Sequence, residues 1–192
     1  AVGSRALDAT STASNNVAVG YDALGATTTG YSNTALGTSA LAYNTTGNLN
    51  TALGNSALAR QTTAGSNTAV GYGAAFETTT GSLNTAIGYY ALYDNTTGAY
   101  NTALGIGYQA LRVNTTGIQN VAVGNFALDA SNANNNTAVG YLALSANTTG
   151  AQNTAVGYAA LDANTDGHSN TAFGRSSLSA NTSGDYNTGL GM

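Results

Sequence analysis

Cysteine, proline, tryptophan and lysine are all missing from this 192-residue chain. Without cysteine there is no disulfide, so the fold demands neither an oxidising nor a reducing compartment. Charge is scarce: 6% of residues carry one, against roughly 25% in an ordinary globular domain. The four arginines, Arg5, Arg60, Arg112 and Arg175, are scattered, and the net charge is −4. No basic face is available for phosphates, which argues against nucleic acid as a partner. Every apolar run is shorter than the roughly 18 residues of a membrane helix, which argues against direct membrane insertion. The surface must be covered by Thr, Asn, Ser, Gly and Tyr.

The same poverty argues against catalysis. His168 is the single histidine. Asp162 and Asp166 lie near it, but no second histidine or matching acidic row completes a metal site. Asp8, Asp22, Asp94, Asp129, Asp162 and Asp185 share no common place in the pattern described next. Neither a dinucleotide fingerprint, a phosphate-binding loop nor a glycine-rich calcium repeat is present. The expectation is a non-enzymatic protein with no cofactor and no metal.

What the chain does have is one phrase, repeated. Asn33 to Leu49, NTALGTSALAYNTTGNL, is a typical copy, and its glycine recurs at Gly3, Gly20, Gly37, Gly54, Gly71, Gly88, Gly105, Gly124, Gly140, Gly157, Gly174 and Gly191. The usual spacing is 17 residues, as from Gly20 to Gly37. That is too short for a domain and about right for one coil of a stacked solenoid. The phrase is cut at both ends, which reads as a processed chain or a window on a longer array.

Slots are numbered here from the asparagine of each copy. Thr-Ala-Val in slots 2 to 4 has strand composition. Asn-Thr-Thr-Gly in slots 12 to 15 is turn chemistry. Ala-Leu in slots 8 and 9 predicts a second short strand or bent segment. Ala-Leu pairs also suit helices, but the two glycines and about three threonines per copy leave no stripe at helical spacing. The expected fold is all-β: a parallel β-solenoid of about eleven coils, on the order of 50 Å long, forming one domain over residues 1–192.

Stacking turns each slot into a row. Slot 9 gives a leucine row (Leu24, Leu41, Leu58, Leu92, Leu111) and slot 1 an asparagine row (Asn33, Asn50, Asn67, Asn84, Asn101) whose amides can bond one another and the corner backbone. Slot 6 gives a tyrosine row (Tyr21, Tyr72, Tyr89, Tyr141, Tyr158) suited to a subunit interface or to sugars. Slots 3 and 4 are both apolar. If they point to opposite faces, one fills the coil and the other needs cover, for which a second subunit is the natural source; a curved segment would bring both inward. In the coil that holds Ala75 in slot 9, Phe76 is expected to supply the missing leucine volume. Three irregularities read as corner bulges: an insertion at Ile106-Gly107, a shortened turn at 131–135, and an extra residue between Gln61 and Gly65. Sequons such as Asn44-Thr45-Thr46 are read as structural, because a glycan on every coil would crowd the stack.

Copies such as Asn67-Thr68-Ala69-Val70-Gly71-Tyr72-Gly73-Ala74 resemble the head repeats of YadA-like trimeric autotransporter adhesins, and related repeats in phage and bacterial tail-fibre proteins. The resemblance covers nearly the whole chain. It implies a left-handed parallel β-roll, a homotrimer in a multi-chain fibre, and display outside the cell, at a cell surface or on a virion fibre. The repeat here is longer than the family's by an Asn-Thr-Thr corner, and no neck, stalk or anchor is legible in the sequence. Three readings follow. The first is a structural subunit or shaft of an extracellular fibre or adhesin, assembling with copies of itself side by side and end to end. The others are a glycan-binding module using the Tyr and Asn rows, and an ice-binding solenoid using the Thr rows.

Overall fold

The computed structural model describes residues 1–105 and 107–192. Among these residues, eleven three-residue strands occur, one per coil: β1 (Val17–Val19), β2 (Thr34–Leu36), β3 (Thr51–Leu53), β4 (Thr68–Val70), β5 (Thr85–Ile87), β6 (Thr102–Leu104), β7 (Val121–Val123), β8 (Thr137–Val139), β9 (Thr154–Val156), β10 (Thr171–Phe173) and β11 (Thr188–Leu190). They form one parallel sheet in sequence order. Each residue pairs with its equivalent in the next coil, as Ala35 does with Ala52. The chain is a parallel β-solenoid.

Each strand alternates as a pleat requires. Slot 3 faces inward: Ala35, Ala52, Ala69, Ala86 and Ala103 are fully buried. Slots 2 and 4 face outward, so the curved alternative with both apolar slots inside is not what forms. The slot 8 alanines and slot 9 leucines close the apolar half of the interior, from Ala23 and Leu24 to Ala160 and Leu161.

The Ala-Leu limb is not a second strand. Alternate residues of it take left-handed backbone angles: φ is 56° at Ser39 and 53° at Leu41, and slot 9 repeats this from Leu24 (53°) to Leu178 (52°). A non-glycine residue there costs about 1–2 kcal/mol, and a pleat cannot be built from it. The limb winds as successive turns, with Ala40 N–H donating to Gly37 O at 3.3 Å and Asn44 N–H to Leu41 O at 3.1 Å. Its other amides reach both neighbouring coils: Ser39 N–H donates to Tyr21 O (2.9 Å) and Leu41 N–H to Ala57 O (3.0 Å). Those bonds and the burial of leucine, worth about 1.5–3 kcal/mol, offset the backbone cost.

The slot 5 glycine is obligatory. Gly54 has φ +136°, and a Cβ there would stand 2.5 Å from Gly71 O. Gly105 keeps the stacking place against Gly88, but the left-handed conformation has passed to Gly107 (φ 130°). Ile106, half of the expected insertion, lies outside the described residues. The irregular spacings leave the sheet in register, with Thr102 opposite Val121 and Val121 opposite Thr137.

Two local expectations are corrected. Gln61 to Gly65 carries no extra residue: Ala64 occupies slot 15, where its carbonyl accepts Asn50 Nδ2 at 3.1 Å. Phe76 does not fill the core; its ring lies outside, stacked on Tyr93 at 5.1 Å and capped by Arg60 at 5.7 Å.

The left-handed leucines make a specific prediction. Leu58→Ala removes a fully buried side chain and lowers stability by about 2–5 kcal/mol. Leu58→Gly costs no more than Leu58→Ala, because glycine relieves the φ of 50°. Denaturant unfolding of both variants checks the order; the usual penalty of glycine below alanine would contradict the left-handed assignment.

Candidate functional site

The rows divide into those consumed inside the solenoid and those offered outside it. The slot 1 asparagines are consumed. Asn50 is buried, and both its backbone N–H and its Nδ2 donate to Asn33 Oδ1, each at 3.0 Å. Its Nδ2 also donates to Ala64 O in the turn that closes its own copy. Asn84 repeats the scheme, with Nδ2 to Gly98 O at 2.9 Å and Oδ1 accepting from Asn101 N–H at 2.9 Å. The row is interior, so these asparagines do not face a ligand as the glycan-binding reading of the row expects.

A second amide row escaped the sequence reading. In slot 12, Asn44 and Asn95 are buried, and each donates Nδ2 to the glycine carbonyl three residues on, at 3.1 Å. Asn114 Nδ2 also donates to Asn95 Oδ1 at 3.2 Å, and Asn164 Nδ2 to Asn147 Oδ1 at 3.0 Å. The slot 12 Oδ1 stands where a slot 15 Cβ would go, as Asn164 Oδ1 does 2.5 Å from that point on Gly167. This explains a regularity in the sequence: alanine occupies slot 15 only at Ala13, Ala64 and Ala133, where slot 12 holds Thr10, Gln61 and Ser131. The sequon asparagines Asn44, Asn95, Asn114 and Asn147 belong to this row, so their amides are sealed from a glycosylating enzyme in the folded chain. Where Ser131 interrupts it, Asn114 Oδ1 is left buried without a partner.

The slot 13 threonines are also consumed. Thr45 Oγ1 donates to Thr62 O at 3.0 Å, and Thr79 Oγ1 to Thr96 O at 3.1 Å. His168 belongs to the stack as well. Its Nδ1 accepts from Ala151 N–H at 3.1 Å, while its own N–H donates to Asp185 Oδ1 at 2.6 Å. Among the described residues, no group of three or more His, Cys, Asp or Glu side chains could hold a metal ion.

Most charges pair across neighbouring coils. Arg5 meets Asp22 at 3.6 Å, Arg60 meets Glu77 at 3.2 Å, and Arg112 lies between Asp94 (3.5 Å) and Asp129 (3.6 Å). Burial holds the Asp129 carboxyl above its ordinary range, against the opposing pull of Arg112. Arg175 lies over the Tyr158 ring at 5.6 Å.

Two features face outward along the rod. One is the strand face. In slot 4, Leu36 is 50% exposed and Phe173 57%, and Leu53, Val70, Val139 and Val156 are half-buried. Beside them, the slot 2 hydroxyls of Thr34, Thr51, Thr68 and Thr85 make no hydrogen bond among the described residues. The other is the tyrosine row. Tyr72, Tyr89 and Tyr108 stack at 5.6 and 5.3 Å with planes 15° and 12° apart. The path continues through Phe126 and Tyr141 to Tyr158. Tyr21 stands apart, under Arg5 at 6.0 Å. Stacked rings turn their faces to one another and offer solvent their edges and hydroxyls, so this row is a poor platform for sugar faces.

The interior amides predict a large effect from a small change. Asn84→Ala leaves Asn101 N–H without its partner and removes one of the two amides that donate to Gly98 O, which keeps Asn95 Nδ2, at about 1–3 kcal/mol for the orphaned N–H. Thr46→Ala, at an exposed turn position, stays within about 0.5 kcal/mol of the parent. Thermal or denaturant unfolding of the pair checks this. Comparison with protein-family models, with curated proteins and with solved structures finds no match for this chain.

Proposed function

We propose that this chain is a non-enzymatic structural segment of an extracellular fibre or surface adhesin, assembled from three copies packed side by side through the strand face. The observation that carries this reading is the slot 4 ridge. An aliphatic or aromatic side chain stands on the outer face of every strand, in one line down the rod. Soluble monomers rarely leave so long an apolar stripe in water. A copy of the same chain offers the same rise per coil and the same alternation of threonine with an aliphatic group, so each rung meets a matching rung. The slot 2 hydroxyls can then bond across the interface instead of facing an apolar surface.

Ice binding would use the same face, and the residues there argue against it. A lattice-matched plane needs rows of even height. Slot 4 instead runs through Val70, Ile87 and Leu104 to Phe173, whose side chains differ in size. That unevenness suits interdigitation with protein. Of the turn threonines, the slot 13 hydroxyls are held by backbone carbonyls, which leaves the exposed slot 14 row, such as Thr46 and Thr97, as the other threonine row that an ice test would probe.

Light scattering of the purified chain is expected to give three times the chain mass. The double variant Leu53→Glu, Val70→Glu, which places charge on the ridge, is expected to give single chains with unchanged β circular dichroism. A parent that is monomeric at high concentration overturns the proposal. Thermal hysteresis and ice shaping by the parent would restore the ice reading.

A further inference from the structure

In a chain this periodic, the informative residues are those that break the pattern together. Slot 11 holds alanine or valine in most coils, but in four successive coils it holds Tyr43, Arg60, Glu77 and Asp94. Slot 10 varies along the whole chain, and beside this run it holds Phe76 and Tyr93. Three of the few charged residues in the chain, Arg60, Glu77 and Asp94, thus follow one another in a single slot of successive coils.

The structure makes a groove there. It has a volume of about 390 Å³ and a mainly apolar lining formed by Tyr43, Arg60, Thr62, Glu77, Thr79 and Thr96. That lies within the range of ligand clefts, roughly 300–1,000 Å³. The floor threonines spend their hydroxyls on the coil stack, as Thr62 does on Thr79 O at 3.3 Å. The polar groups on the wall are fixed in place. Arg60 Nη1 donates to Glu77 Oε2 at 3.2 Å while its guanidinium lies over Phe76. Tyr43 is 62% exposed, and no aromatic ring stacks on it among the described residues. Its face is therefore open, unlike those of the tyrosine row. Tyr43 also lines a second groove, of about 380 Å³, which contains the Arg5–Asp22 pair.

We infer that this face binds a short neutral oligosaccharide lying along the rod axis, with one sugar ring on Tyr43 and its neighbours in the two flanking grooves. An open aromatic face takes the C–H side of a pyranose ring. A fixed Arg–carboxylate pair still offers N–H donors and lone pairs to adjacent hydroxyls. The pair's charges cancel, so it selects for neutral hydroxyls over an acidic or basic ligand. The groove offers no deep apolar pocket to anchor a peptide side chain. A hexose advances its chain by about the height of one coil, so successive sugars meet successive rungs.

Saturation-transfer NMR with cellotetraose, chitotetraose and mannotetraose at millimolar concentration tests this, with tetragalacturonate as the acidic comparison. At least one neutral tetrasaccharide is expected to bind. Tyr43→Ala should weaken that binding by about tenfold or more, while Tyr43→Phe and Tyr158→Ala should leave it unchanged. Absence of binding by all three neutral probes, tighter binding of the acidic one, or binding unaffected by Tyr43→Ala overturns the inference. Should Tyr43→Ala lose its β circular dichroism, Glu77→Gln carries the same test, and unchanged binding there is equally fatal. The grooves involve slots 7, 10, 11 and 13 rather than slots 2 and 4, so the outcome is separate from that of the assembly test.

Discussion

Buried amide pairing is the constraint on which the rest of this solenoid depends. A coil this thin cannot fill its interior with hydrocarbon at both ends, and a chain with few charges cannot rely on ion pairs. The turn half of each coil is instead filled with asparagine. Each slot 1 amide ties the strand entrance to the turn that closes its own copy and to its own equivalent in the preceding one. An unpaired buried amide is costly, so the pairing can tolerate few errors in register. That intolerance explains why a coil lengthened near Gly105 and one shortened near Ser131 both leave the strands opposite their equivalents.

The apolar half solves a different problem. Small alanines in slots 3 and 8 let the two limbs approach, and leucine in slot 9 fills what remains. Presenting that leucine inward while the chain turns requires a left-handed residue in every coil. Repetition multiplies this cost, but it also multiplies the inter-coil bonds that offset it. Interior chemistry thus sets the coil, and the outward slots are left free to vary. Variation there is where assembly and recognition can be written: the strand ridge on one side and the Tyr43 grooves on another.

Much of the fold was legible because a period is a direct report of equivalent environments. The alanine, leucine and slot 1 asparagine rows follow from spacing and side-chain chemistry alone. The left-handed limb did not follow, because leucine at positive φ runs against its local preference and only tertiary bonding holds it there. The slot 12 amides were read as ordinary turn residues; the signal was present in the pairing of Asn44 with Gly47 and of Ser131 with Ala133, but its meaning needs the position of Oδ1. Phe76 was assigned to the core because Ala75 leaves space, whereas stacking on Tyr93 holds the ring outside. Tyr43 belongs to no recurring row, so the period carries no information about its surroundings.

Hydrogen exchange of the asparagine side-chain amides, read by NMR, tests the central claim most directly. The account predicts that the Nδ2 protons of Asn50, Asn67, Asn84, Asn95 and Asn147 are protected to the same degree as the backbone amides of the strands. Those of Asn55 and Asn134, whose side chains are exposed, should exchange at the rate of free asparagine. Exchange of the interior set at that free rate would contradict it.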